Sequence, residues 1–130
     1  MKSLFIAAVV AACLPAWAFA EGVCIVLKDA KVIGQDDAHT YLGKVANKYD
    51  ADSIFNEYGI HGGPYEQDSV WNPYATFGNE YNEYAATNKY TGTPPMLVKN
   101  KTVIGFLSAN KSMHGAISPL MLKALCAEEI

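Results

Sequence analysis

The sequence predicts a β-rich α+β domain: duplicated β-hairpins flank a loop-rich insert of repeats, one helix ends the chain, and a disulfide closes the whole. Three observations carry that expectation. VLKDAKVIG, residues 26–34, aligns with LVKNKTVIG, residues 97–105. Between the two copies, Asn-x-Tyr recurs three times at a period of sixteen residues. Finally, Cys24 and Cys126 lie near opposite ends of a chain that begins with an export signal.

The signal is read from MKSLFIAAVVAACLPAWAFA. Lys2 supplies a positive start, residues 4–14 an apolar run, and Pro15 a helix breaker. Ala18 and Ala20 then offer the small side chains that a signal peptidase accepts, so cleavage is expected before Glu21. The run is too short to span a bilayer. A competing expectation takes Val10-Ala11-Ala12-Cys13 as a lipoprotein box with Cys13 lipidated. With residues 1–20 removed as a signal peptide, residues 21–130 form one small domain, and localisation is expected to be periplasmic or secreted. Two cysteines then remain, and an even pair in an exported chain reads as a disulfide. Closing so long a loop is worth roughly 4–5 kcal/mol in the chain-entropy model. The pair lacks the close spacing of a redox-active Cys-x-x-Cys.

Each copy of the nonapeptide sets β-forming residues on both sides of a turn-prone dipeptide, the pattern of a tight hairpin. Strands are expected at 24–28, 31–33, 41–45, 96–99 and 102–107. Ala-Asn-Lys follows each copy, at residues 46–48 and 109–111. Thr93-Pro94-Pro95 stops the preceding segment and feeds an extended strand. The one convincing helix begins after Ser118, a suitable N-cap, with Pro119 in its first position and Leu120, Met121, Leu122 and Leu125 as apolar faces. Cys126 falls on its last turn.

The repeats occupy residues 52–93. Asn56, Asn72 and Asn88 are in register, as are Tyr58, Tyr74 and Tyr90; Gly62 matches Gly78 and Tyr65 matches Tyr81. A loop-rich segment has no ladder to satisfy its backbone, so the asparagines are expected to bond nearby main-chain groups. The tyrosines of the same motif are expected to pack as scaffold. Trp71, Phe77, Tyr81 and Tyr84 are the candidates for an exposed binding patch.

These motifs carry a resemblance. TYLGKVANKYDADSIFNEYG resembles segments of small exported bacterial proteins of unassigned function. Those carry a Tyr-Leu-Gly-Lys hairpin and repeated Asp-Ser-Ile-x-Asn-x-Tyr-Gly units. It extends over residues 40–110 and departs where Ala75 and Thr91 replace the glycine after the tyrosine. It implies a shared fold and no particular activity.

Charge narrows the partners. Without arginine, the chain after cleavage sets nine lysines against thirteen acids, a net charge near −4. Residues 49–88 hold no lysine but seven acids. That distribution argues against nucleic acid and anionic membranes, both of which need clustered cations. It permits a cation or a basic partner, or is simply a solvated face; the partner expected is an unknown protein or glycan in the cell envelope. His39, His61 and His114 lack paired ligand spacing, so no metal site is expected. Calcium is the one cation that the oxygen-rich repeats could suit. No catalytic residue is assigned, because neither a nucleophile elbow nor a phosphate-cradling loop is present. The expectation is a non-catalytic binding or envelope-associated protein. The alternative is a periplasmic immunity protein or inhibitor whose acidic face blocks a basic partner site.

Overall fold

The computed structural model describes residues 16–130, so Cys13 and the signal segment through residue 15 lie outside the described residues. Helix α1 (Ala16–Leu27) crosses the expected cleavage site and turns into β1 (Lys31–Ile33) and β2 (Tyr41–Lys44). After a long insert come β3 (Met96–Lys99), β4 (Thr102–Leu107), β5 (Ala116–Ile117) and α2 (Pro119–Cys126). The strands form one sheet in the order β2-β1-β3-β4-β5. Its pairs are antiparallel except β4 with β5. Because β1 lies between β2 and β3, the sheet joins the segments before and after the insert. A single core runs from Leu27, Val32 and Leu42 through Ile54, Val70 and Phe77 to Leu97, Leu107 and Leu122.

The second copy of the nonapeptide is a hairpin. Asn100 and Lys101 both take positive φ, 52° and 63°, as a two-residue turn matched to strand twist requires. The first copy is not built that way, and the strand expected at 24–28 is helix as far as Leu27. Context explains the difference. Cys24 is bonded to Cys126 of the carboxyl-terminal helix, and a helical turn lets Cys24 and Leu27 enter the core together. Cys24 and Leu27, three apart on one helix face, are buried, and Asp29 at φ 67° ends the turn. Before the second copy, Pro94 and Pro95 exclude helix and the same pattern becomes a strand. The disulfide, with Cα atoms 5.4 Å apart, therefore joins α1 to α2 and not a strand to a helix. At α2 the expected cap is present: the Ser118 hydroxyl accepts from the Met121 N–H, and Pro119 opens the helix.

The insert contains neither helix nor strand, apart from a bridge between Lys44 and Ser53. It is a chain of linked turns. The N–H groups of Asp50, Ser53, Asn56 and Gly59 each donate to the carbonyl three residues back, at 2.9–3.2 Å. Asn72, Ala75 and Gly78, then Asn82, Ala85 and Asn88, continue the pattern. Twice the step lengthens: Gly63 donates to Gly59, and Asn79 to Ala75, four residues back. Steps of three with one of four return the chain to register after sixteen residues, which is the period seen in the sequence.

Candidate recognition face

Each asparagine of the Asn-x-Tyr motif makes the same two bonds. Its Oδ1 accepts from the tyrosine N–H two residues on, at 3.0, 3.0 and 2.9 Å for Asn56, Asn72 and Asn88. Its Nδ2 donates to the carbonyl six residues back, on Asp50, Glu66 and Asn82, at 3.1, 3.0 and 3.0 Å. One side chain thus satisfies a donor and an acceptor that no ladder reaches. Gly62 and Gly78 sit against that asparagine's backbone, where an added Cβ would lie 2.0 and 2.1 Å from the carbonyl oxygens of Asn56 and Asn72. In all three copies the asparagine amide thus serves the backbone of its own turn.

The tyrosines of the motif do something else. Expected to pack, Tyr58, Tyr74 and Tyr90 are instead 98%, 84% and 91% exposed. The turn uses only the tyrosine's backbone N–H, so its geometry leaves the ring pointing outward. A second row shares this fate: Tyr49, Tyr65 and Tyr81, also sixteen apart, are all exposed. Asn47 and Asn79 accept from the N–H of Tyr49 and Tyr81 at 2.9 and 3.0 Å. The outward row containing Tyr49 was not anticipated, although its sixteen-residue spacing is as plain as that of the other.

Of the four residues expected to form a patch, only Tyr81 is fully exposed. Phe77 is a core residue, 4% exposed, and lies in register with the equally buried His61. Trp71 is half-buried: its indole N–H donates to the Ile54 carbonyl, and the Lys123 ammonium lies 4.7 Å from the ring centre. Tyr84 is half-buried as well, and the neighbouring Glu83 charge raises its phenol pKa. The four do not come together as one surface patch.

Two shallow clefts open between the tyrosine rows. The first, about 410 Å³, lies between Tyr49 and Tyr58 and is lined by Lys48, Phe55, Asn56 and Glu57, with the end of α2 as one wall. The second, about 430 Å³, lies between Tyr81 and Tyr90 and is lined by Glu80, Thr87, Asn88 and Lys89. Every residue of the second stands thirty-two positions after a residue of the first, two full periods along the chain. Lys48 Nζ is 2.7 Å from Glu128 Oε2, a bond that raises the lysine pKa, and 5.5 Å from the centre of the Tyr49 ring.

No family model, curated protein or solved structure matches the chain. Among the described residues no three His, Cys, Asp or Glu side chains gather where they could hold a metal ion. None of the described helices is long and apolar enough to cross a membrane. Tyr41 is the most perturbed phenol. Burial first, then the charge of Asp52 at 3.2 Å, pushes its pKa up to about 12. It packs edge-on against buried His61, a placement that fixes β2 against the first turns of the insert.

Proposed function

We propose that this is an exported binding or envelope-associated protein without catalysis of its own, and that the double row of tyrosines is its recognition face. The three sixteen-residue units act as copies of one turn-built module, each presenting two rings. One observation carries this reading: six tyrosines at two positions of the period all point to solvent. Tyrosine offers a large apolar ring, a polar tip and only two side-chain torsions to immobilise, and it is enriched at recognition surfaces for those reasons. A ring left in water with no packing role gains nothing for the fold, so its recurrence at matched positions fits recognition. The disulfide is compatible with an oxidising compartment, in keeping with periplasmic or secreted placement.

The exposed acids support a second reading, an immunity protein or inhibitor that plugs a basic site. Glu57, Glu66 and Glu80 are exposed and make no ion pair among the described residues. Affinity capture from an envelope extract separates the two. Under the tyrosine reading, the Tyr58→Ser/Tyr74→Ser/Tyr90→Ser variant loses the captured species while salt leaves wild-type capture largely intact. Release of a single basic protein by salt, with capture indifferent to the tyrosines, would favour the inhibitor.

A further inference from the structure

We propose that the tyrosine face is self-complementary and that its clefts are filled by a second copy of this chain, packed about a two-fold axis. The inference rests on reading the tyrosine rows as a recognition face, and it names the partner. The two clefts keep the same asparagine and the same pair of tyrosines, and the lysine and glutamate beside those tyrosines exchange places between them. Beside Tyr49 and Tyr58 stand Lys48 and Glu57; beside Tyr81 and Tyr90, at the matching positions, stand Glu80 and Lys89. Between them, next to Tyr65 and Tyr74, the same positions hold Pro64 and Pro73, both exposed and uncharged.

A surface built for a repeating polymer needs clefts that are alike. Here, the sign of both charges inverts about a neutral centre, the pattern an isologous interface requires. Turning one copy over about an axis through the middle unit sets Lys48 against Glu80 of the other copy, and Glu57 against Lys89. Each contact then occurs twice. Glu57, Glu80 and Lys89 have no ion-pair partner among the described residues, and Lys48 is shared only with the exposed Glu128. Area is sufficient. Covering half of six tyrosine rings removes about 450–750 Å² per copy, close to the ~800 Å² per partner of a standard interface.

Sedimentation velocity of the exported, disulfide-bonded protein over a range of concentrations tests this. The expected result is a dimer weakened about tenfold or more by Glu57→Lys and restored when Lys89→Glu is added. All of these side chains are exposed, and circular dichroism checks that the variants fold. A chain that stays monomeric at every concentration overturns the proposal. So does a dimer indifferent to Glu57→Lys, or one that the added Lys89→Glu weakens further. A monomer that still loses an envelope ligand on Tyr58→Ser/Tyr90→Ser overturns self-association alone and leaves the recognition face standing.

Discussion

At the scale of single residues, asparagine and tyrosine divide the labour of the Asn-x-Tyr motif between fold and surface. Asn72 is buried, and its amide satisfies the Tyr74 N–H and the Glu66 carbonyl. Asn72→Ala leaves both groups without that partner and is expected to cost about 1–3 kcal/mol. Tyr74→Ser removes only an outward ring and should change stability by less than about 0.5 kcal/mol. Urea denaturation of the two variants, side by side, checks the division. The asparagine role was legible because only a few side chains can serve a backbone that has no ladder. The tyrosine role was not, because register alone does not say whether a recurring ring faces in or out. That depends on which residue of the turn lends its N–H, and the Asx turn borrows the tyrosine's while freeing its side chain. Phe77 was misplaced for the converse reason. Its register with His61 marks an inward position, but the two residue types share no obvious chemistry.

At the scale of elements, one pattern gives two structures because its neighbours differ. Residues 97–105 form a hairpin after a Pro-Pro stop, whereas the first copy begins on the helical turn that carries Cys24 and Leu27 into the core. Local β propensity therefore failed at Val26 and Leu27 and held at Leu97 and Val98. The loop between β1 and β2 depends on Asp36, which accepts from the Thr40 N–H at 2.9 Å and from its hydroxyl at 2.6 Å. Burial opposes the Asp36 charge, but the Thr40 bonds outweigh it and hold the carboxyl below its usual 3.8. A folded-state pKa below the unfolded one stabilises the protein above that unfolded value. The benefit disappears as pH falls through the lower, folded-state pKa. Thr40→Val should accordingly cost about 1 kcal/mol near neutral pH and progressively less below about pH 4. Thermal melts of wild type and variant across that range would show the two curves converging in acid.

At the scale of the whole molecule, the sheet and the disulfide hold together a region that could not organise itself. Linked turns have few long-range backbone bonds, so the insert depends on Ile54, Val70 and Phe77 entering the common core. The Cys24–Cys126 bond clamps α1 on α2 at the edge of that core and closes a loop of 102 residues. Reduction is expected to cost about 2–5 kcal/mol, read as a lower urea midpoint under reducing conditions. The disulfide, the carboxyl-terminal helix and the sheet's later hairpin were all legible, since each rests on a local signal or on simple arithmetic. What escaped was collective. The outward facing of Tyr49, Tyr65 and Tyr81, and the exchange of charge between matched clefts, emerge only when three units are overlaid on one turn geometry.

The most direct test of the recognition face is quantitative capture from an envelope extract by the wild-type protein and by its Tyr58→Ser/Tyr74→Ser/Tyr90→Ser variant. Matched urea midpoints would first establish that both are equally folded. Loss of the enriched species in the variant, at unchanged stability, is the predicted result. Equal capture by the two proteins would contradict the account and return the exposed acids to first place.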